Sequence, residues 1–388
     1  MPVNSQASVH GNCKSIAFTG GGTGGHIYPG LAVAASLGQK LPGSRLFWIG
    51  STNSLDKTIV EEAGIPFYGI PAGKLRRNLS LRNLVDCFKV AAGFFAARRI
   101  LRRERPALLF SKGGFVSVPP CAAAASLGIP VFTHESDWSP GLATRINARF
   151  AAASGGARGV GRIITAYGET AERFPRAIRD RVLVLGNPVR SEFRSAGAAE
   201  GRAFAGAAEG DRILLVLGGS QGAKELNLLV ESVLGELTGR YFVVHQTGAG
   251  HRGPPPGERY RPVPYIRDEM PGVLASAELV LCRAGAGTVW ECAAAGKPMI
   301  LLPLAGRGTR GDQVENAAYF ERAGAALVLG PGRRRPEDLA AAVDLLAGDP
   351  HRREALAAAS KRIGAADASE GIARLLLEAL NGGGRAAP

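Results

Sequence analysis

Short apolar runs alternate along this chain with longer segments whose apolar residues recur at helical spacing. This alternation predicts parallel β-sheets that are covered by helices on both faces. The runs form two series of predicted strands. The first comprises residues 15–19, 46–50, 107–110, 131–134, 163–166 and 182–185, and the second comprises residues 213–217, 241–246, 278–282, 298–302 and 326–329.

Both series begin in the same way, with a strand that runs into a glycine-rich turn and then into a helix. Residues 15–19 lead into the Gly-Gly-Gly-Thr-Gly-Gly sequence of residues 20–25, and residues 213–217 lead into Gly-Gly-Ser-Gln-Gly at 218–222. The repetition predicts an α/β protein with two doubly wound domains. We place the hinge between them near residues 186–188.

The two glycine turns have the form of anion-binding loops. Gly20, Gly22 and Gly25 satisfy the GxGxxG pattern, and a helix N-terminus behind such a turn offers N–H donors to a phosphate. A dinucleotide is disfavoured because residues 47–51, at the end of the next strand, contain no acid for a ribose. Ser220 in the second turn is either a phosphate ligand or a helix cap. Tight strand–helix packing is the alternative for both turns.

Three further polar residues follow predicted strands. Glu291 lies on the first turns of a helix, where a carboxylate suits a ribose diol, although it is alternatively a solvated helix-start acid. His26 follows the first glycine turn and is a candidate general base or a packing histidine. Asp137 is a candidate ligand-binding acid or a helix cap. No His, Cys, Asp and Glu spacing indicates a metal site.

Charge and composition restrict the classes of binding partner that we expect for this chain. Lysine and arginine number 47 against 33 acidic residues, which gives a net charge of +14 and favours an anionic partner. Residues 72–105 carry ten basic and two acidic side chains with interleaved phenylalanines. This basic amphipathic stretch predicts contact with an anionic membrane surface, with a core-facing helix as the alternative; no nucleic acid is expected.

Five cysteines without CxxC spacing favour a reducing compartment. Prolines interrupt the apolar residues 115–133, so we predict no spanning helix there.

Six motifs occur in an order that resembles the MurG family of peptidoglycan N-acetylglucosaminyltransferases. The resemblance runs from about residue 14 to residue 380 and implies a GT-B fold, in which two Rossmann-like domains face a cleft. It implies an N-terminal acceptor domain at 13–187, a donor domain at 188–366, a C-terminal helix at 367–381 that crosses back, and flexible ends at 1–12 and 382–388. The motifs are GGGTGGHIYPG (20–30), SKGGFVSVP (111–119), HESDWSPGLA (134–143), GNPVR (186–190), GGSQGA (218–223) and RAGAGTVWE (283–291).

The resemblance also implies an activity. Family members transfer GlcNAc from UDP-GlcNAc to the muramoyl 4-hydroxyl of lipid I with inversion, giving lipid II at the cytoplasmic face of the plasma membrane. They act as peripheral proteins and need no metal or other cofactor. Two alternatives remain open: a related transferase that uses another lipid acceptor such as diacylglycerol, and a UDP-sugar-binding subunit without catalysis.

Site residues follow from the motifs of the resemblance. His26 is the first choice for the general base and Asp137 the second, and Asp137 also contacts substrate. Asp137 and Asp312 stand where relatives often have Asn and Gln, so the sugar contacts are expected to differ here. The remaining expected substrate-binding residues are Thr23, Gly24 and Gly25 at the sugar and acceptor side, Arg190 and Ser220 at the nucleotide and phosphates, Ile266 at the uracil, Ala286, Gly287, Thr288, Val289, Trp290 and Glu291 at sugar and ribose, and Gln313 at sugar hydroxyls.

Overall fold

The computed structural model describes residues 14–22, 24–52, 56–73, 81–154, 159–219, 223–306 and 309–382, without the side chains of residues 81–85. Thr23 and Ser220 lie outside the described residues. So do the expected flexible ends, apart from residue 382, and the basic residues Lys74, Arg76 and Arg77.

The first half of the chain forms a seven-stranded parallel sheet with the order β3-β2-β1-β4-β5-β6-β7. The central strands are buried along their whole length, which is why their sequences are continuous apolar runs. The strands are β1 (Ser15–Thr19), β2 (Arg45–Ser51), β3 (Phe67–Ile70), β4 (Leu108–Ser111), β5 (Val131–Glu135), β6 (Arg162–Thr165) and β7 (Val182–Val184).

Helices connect these parallel strands and cover both faces of the sheet. A 3₁₀ turn at Phe115–Ser117 precedes α4, so the apolar stretch 115–133 is a turn, a helix and a strand, as predicted. None of the helices in the described ranges is long and apolar enough to cross a bilayer. The helices are α1 (Gly24–Lys40), α2 (Asp56–Glu62), α3 (Leu81–Glu104), α4 (Val118–Ser126) and α5 (Leu142–Ala153).

The second half forms a six-stranded parallel sheet with the order β10-β9-β8-β11-β12-β13. Its strands are β8 (Ile213–Leu217), β9 (Phe242–Gln246), β10 (Tyr260–Val263), β11 (Leu279–Cys282), β12 (Met299–Leu301) and β13 (Ala326–Val328). Its helices are α6 (Glu192–Ser195), α7 (Ala198–Ala205), α8 (Lys224–Ser232), α9 (Leu234–Arg240), α10 (Met270–Ser276), α11 (Ala286–Ala294), α12 (Asp312–Arg322), α13 (Pro336–Gly348) and α14 (Pro350–Ile363).

The last helix, α15 (Ala368–Leu380), packs against the first sheet and not the second. Ile372, Ala373 and Leu376 are fully buried in the same apolar cluster as residues of β1 and α1. Lys14 Nζ donates to Leu380 O at 2.7 Å, which fixes the end of the helix to the start of β1. The C-terminal segment thereby joins the two halves of the molecule.

The two-sheet α/β architecture agrees with the sequence prediction. Each of the eleven predicted runs overlaps a strand, and β1 and β8 have the predicted bounds. The prediction omitted β3 and β10, which are the outermost strands at one edge of each sheet.

Candidate active site

Most of the expected site residues within the described ranges lie near the carboxyl ends of the strands, where Arg310 Nη2 of the second half donates to Asp137 Oδ2 of the first. His26 lies on the first turn of α1, and Asp137 follows β5. Glu291 lies on α11, which follows β11, and Gln313 lies on α12. Loops at the carboxyl ends of parallel strands are the usual ligand-binding edge of open α/β sheets.

The first glycine turn is packed tightly against protein atoms. Trp48 Nε1 donates to Gly20 O at 3.0 Å, and Gly22 N donates to Asp56 Oδ2 at 3.0 Å. A Cβ added to Gly22 would lie 2.8 Å from the Phe115 ring. The described glycines of this turn therefore serve close packing, which is the alternative that the sequence analysis left open.

Three glycines near the second turn and the start of α11 are open. A Cβ on Gly219, Gly285 or Gly287 would meet no described atom within 4 Å. Gln246 connects this region to the 265–266 segment, because its Oε1 accepts from Ile266 N at 3.0 Å. A ligand can therefore approach the backbone at these glycines, unlike the backbone of the first glycine turn.

Glu291 carries a carboxylate that is partly withdrawn from water. Burial raises its pKa from 4.5 to about 7, and the neighbouring Arg190 opposes that rise. The described residues supply no hydrogen-bond partner for the carboxylate oxygens. A carboxylate placed in this way can accept two hydrogen bonds from a vicinal diol.

Arg190 is held between aromatic rings at the junction of the two halves. Its guanidinium lies 5.1 Å from the centre of the Tyr28 ring and 4.9 Å from that of Phe193. Tyr28 on α1 lies beside Tyr265 of the second half, and burial first and the neighbouring Tyr28 second raise the pKa of Tyr265 to about 12. The cation is thus oriented beside Glu291 by rings from both sides of the cleft.

His26 is half-buried against the Gly113–Gly114 backbone. A Cβ on Gly114 would lie 3.5 Å from the imidazole Cγ. Burial, together with the positive charges of Lys112 and Arg310, lowers the pKa of His26 from 6.5 to about 3. The ring is therefore neutral at physiological pH, as a proton acceptor must be.

Asp137 is bound to residues of the second half. Arg310 Nη2 donates to Asp137 Oδ2 at 2.7 Å, and Asn316 Nδ2 donates to Asp137 Oδ1 at 3.2 Å. Burial raises its pKa from 3.8 to about 6, reinforced by Glu135 and Asp312, while Arg310 and Asn316 oppose the rise. The carboxylate therefore links the two halves as well as facing the cleft.

Asn316 completes that link. It is fully buried, its Oδ1 accepts from Trp138 N at 3.0 Å, and its Nδ2 also donates to Ala284 O at 3.1 Å. The Asn316 side chain thus hydrogen-bonds with backbone groups of both halves and links the two halves at the cleft.

The remaining expected residues differ in how they face the cleft. Gly24 and Ile266 lie at the cleft edge, with Ile266 buried, while Gln313 Oε1 accepts from Leu304 N at 2.8 Å. The side chains of Val289 and Trp290 are buried, and Trp290 Nε1 donates to the Tyr167 hydroxyl at 3.1 Å. These two side chains point into the core, so only their backbone is available to a ligand. Gly25, Ala286 and Thr288 lie at the starts of α1 and α11.

Sequence reasoning missed several polar residues of the cleft. Some of them lie within a quoted motif, but their roles depend on contacts that only the folded structure shows. Glu135, for example, accepts from Asp137 N and Gly141 N at 3.0 and 2.9 Å and so shapes the turn that carries Asp137. The missed residues are Tyr28, Lys112, Glu135, Gln246, Arg310 and Asn316.

Comparison with known proteins identifies both halves. Residues 16–155 match the glycosyltransferase family 28 N-terminal domain, and residues 213–372 match the glycosyltransferase family 28 C-terminal domain. Curated relatives are named UDP-N-acetylglucosamine–N-acetylmuramyl-(pentapeptide) pyrophosphoryl-undecaprenol N-acetylglucosamine transferase. The Treponema pallidum protein is 47% identical over 94% of this chain and 95% of its own length. The Treponema denticola protein is 48% identical over 81% of this chain and 84% of its own.

Solved structures agree with the sequence relatives. The crystal structure of Acinetobacter baumannii MurG has a TM-score of 0.70 and 26% identity, covering 94% of this chain and 99% of that one. The glycosyltransferase of kitacinnamycin shares the fold alone, with a TM-score of 0.69 and 18% identity, covering 95% of this chain and 99% of that one. The two-domain fold is therefore GT-B. The chain belongs to the MurG family, a group of hexosyltransferases built from the two glycosyltransferase family 28 domains.

Proposed function

We propose that this protein transfers GlcNAc from UDP-GlcNAc to the muramoyl 4-hydroxyl of lipid I, with inversion at the anomeric carbon, giving lipid II. The observation that carries the proposal is the Glu291 carboxylate on α11, half-buried beside Arg190, with the open backbone of Gly287 one turn earlier in the same helix. That arrangement suits the ribose and phosphates of a nucleotide sugar. The names of the relatives supply the identity of donor and acceptor.

The reaction we propose is a single in-line displacement. A base removes the proton of the acceptor hydroxyl, the oxygen attacks the anomeric carbon, and UDP leaves. His26 is our first choice for the base, because Asp137 is already engaged by Arg310 and Asn316. An anionic acceptor bound beside Lys112 and Arg310 would offset their charges and raise the pKa of His26 towards the working range.

The leaving diphosphate gains negative charge as the bond breaks. We propose that backbone N–H groups of the 218–222 turn and of the α11 N-terminus stabilise that charge without a metal. Among the described residues, no group of three or more His, Cys, Asp and Glu side chains is placed to hold a metal ion. Ser220→Ala should lower turnover about a hundredfold, the usual effect of losing one such donor. EDTA should have no effect; loss of activity in EDTA that magnesium restores would contradict the metal-free proposal.

We further propose that α3 holds the protein peripherally on the cytoplasmic face of the plasma membrane. Ala97 and Leu101 form the buried side of the helix, whereas Phe88 and Phe95 are each 68% exposed. Phe94 and Phe95 line a groove together with Arg98, Arg99 and Arg102. Exposed aromatic rings beside arginines suit the headgroup region of an anionic leaflet.

Vesicle sedimentation tests the membrane proposal. The wild-type protein should sediment with anionic vesicles and less with neutral ones, while the Phe88→Ser, Phe95→Ser double variant should remain in solution. Equal sedimentation of the wild type with both kinds of vesicle would contradict the proposed electrostatic contribution.

A transfer assay tests the function itself. Labelled UDP-GlcNAc is offered with a lipid I analogue or with diacylglycerol, and the product is identified by mass and by the configuration of the new linkage. We expect a β-linked product from lipid I only, and strongly reduced turnover for His26→Ala. Transfer to diacylglycerol would support the other lipid acceptor, and donor binding without any product would support a non-catalytic subunit.

A further inference from the structure

Lys112 is a buried cation whose role in the free protein the proposed mechanism leaves open. It follows β4 and is only 1% exposed. Its Nζ donates to Ser136 Oγ, and Ser136 Oγ donates in turn to Asn187 Oδ1 at 2.7 Å. A charged lysine is rarely buried so completely unless charged or polar groups compensate it.

The segment that carries Lys112 encloses His26. The Gly20 Cα lies between the two, because a Cβ built there would be 3.1 Å from the Lys112 Cβ and 3.1 Å from the His26 carbonyl oxygen. Gly113 and Gly114, the next two residues, lie against the imidazole ring. Lysine and histidine therefore belong to one packed cluster on the acceptor side of the cleft.

The charges around this cluster come from several elements. Arg310 faces His26 from the loop after β12, and Asp56 at the start of α2 holds the glycine turn. Glu135 at the end of β5 and Asp137 two residues later face Lys112 and oppose the loss of its proton. The buried His134 on β5 also faces Lys112, and burial first and the Lys112 charge second lower the pKa of His134. Lys112 is thus the cation that stands between the carboxylates of β5 and the imidazole of α1.

We propose that Lys112 is a positioning residue for the candidate base: its ammonium group anchors the 135–137 turn through Ser136 and adds to the burial that disfavours the imidazolium form of His26. The inference rests on the proposed function only in giving His26 the role of base. The effect of the Lys112 charge on the pKa of His26 is a property of the free protein and can be measured without substrate.

The charge of Lys112 should be visible in the ring of His26. Burial lowers the pKa of Lys112 from 10.5 to about 8, so its charge disappears at mildly alkaline pH. The pKa of His26 is lowered by burial first, and by Lys112 and Arg310 next. Because Lys112 is a cause of this lowering, removal of its charge should raise the pKa of His26, and a neighbouring like charge typically changes a pKa by about one unit or more.

Histidine-labelled protein followed by NMR provides the test, with His26→Gln used to assign the His26 ring. In the wild type, the His26 resonances should change with a midpoint near pH 8 as Lys112 loses its proton. Lys112→Arg keeps the charge and does not titrate there, so the change should disappear while His26 remains neutral. A wild type without that change, or a change that persists in Lys112→Arg, overturns the proposal.

The neutral variant Lys112→Gln gives a second measurement. It retains a hydrogen-bonding side chain for Ser136 but removes the charge, so the pKa of His26 should rise by about one unit or more. The acid limb of kcat/KM should move to higher pH by the same amount. An unchanged His26 titration in folded Lys112→Gln contradicts the inference. Undiminished turnover of His26→Gln instead contradicts the role of His26 as base, so the two failures are distinguishable.

Discussion

Glu291→Gln should make the free protein more stable and the donor complex weaker. In the folded state the Glu291 carboxyl has a pKa of about 7, compared with 4.5 for its ordinary value, because burial disfavours the charged form. Between these two pH values the unfolded chain releases a proton that the folded chain retains. Stability of the wild type therefore falls as pH rises from about 4.5 to about 7, and the loss is complete above pH 8.

The size of this effect follows from the two pKa values. They differ by about 2.5 pH units, and each unit corresponds to about 1.4 kcal/mol, which gives about 3–4 kcal/mol. The side chain is half-buried, so screening by water reduces the figure to about 2 kcal/mol. Glu291→Gln removes the ionisable group, so at pH 8 its melting temperature should exceed that of the wild type by about 4–8 °C. Below pH 4.5 the two proteins should be nearly equal.

Donor affinity should change in the opposite direction. Two hydrogen bonds from a ribose diol to a charged oxygen contribute about 1.5–3 kcal/mol each, so the variant should bind UDP-GlcNAc at least tenfold more weakly. Thermal unfolding at pH 4.5 and pH 8, together with calorimetric titration of the donor, measures both effects. The exposed Glu321→Gln on α12 is the matched control and should change neither. Unaltered stability at pH 8 together with unaltered affinity would refute the reasoning.

Three further substitutions probe packing and backbone access. Asn316→Ala leaves backbone groups of both halves unpaired, so it should lower the free energy of unfolding by about 2–4 kcal/mol in urea titrations. A loss below about 0.5 kcal/mol would contradict the role of Asn316 in linking the two halves. Leu376→Ala on α15 should cost about 2–5 kcal/mol, whereas the exposed Glu378→Ala should cost little; equal losses would argue against docking of α15 as a source of stability. Gly287→Ala adds a methyl group in open space within a helix and should stabilise the free protein by about 1 kcal/mol while weakening UDP-GlcNAc binding; unchanged affinity would show that the donor does not approach this backbone.

The sequence predicted the buried strands better than the edge strands. Central strands such as β1 and β8 are buried on both faces, so their apolar runs are continuous and their ends are marked by glycines. β10 is an edge strand that contains Pro262, and β3 is a half-exposed edge strand that contains Gly69. Proline and glycine are compatible with an edge but weaken the strand signal, which explains both omissions.

Some residues of the candidate site were likewise predictable from the sequence, and others were not. Motifs located Glu291, His26 and Asp137 because each follows a strand end within one continuous segment. Arg310 and Asn316 reach Asp137 from more than 170 positions further along the chain, and no local pattern encodes that approach. The motif identified Asp137 as a candidate, but its hydrogen bonds with residues of the second half arise only in the tertiary structure.

A structure determined with UDP-GlcNAc bound tests the account most directly. It should show the ribose hydroxyls on the Glu291 carboxylate, the diphosphate over the 218–222 turn, and the sugar directed towards His26 across the cleft. A nucleotide found on the first sheet, away from α11, would contradict the assignment of donor and acceptor sides on which the account rests.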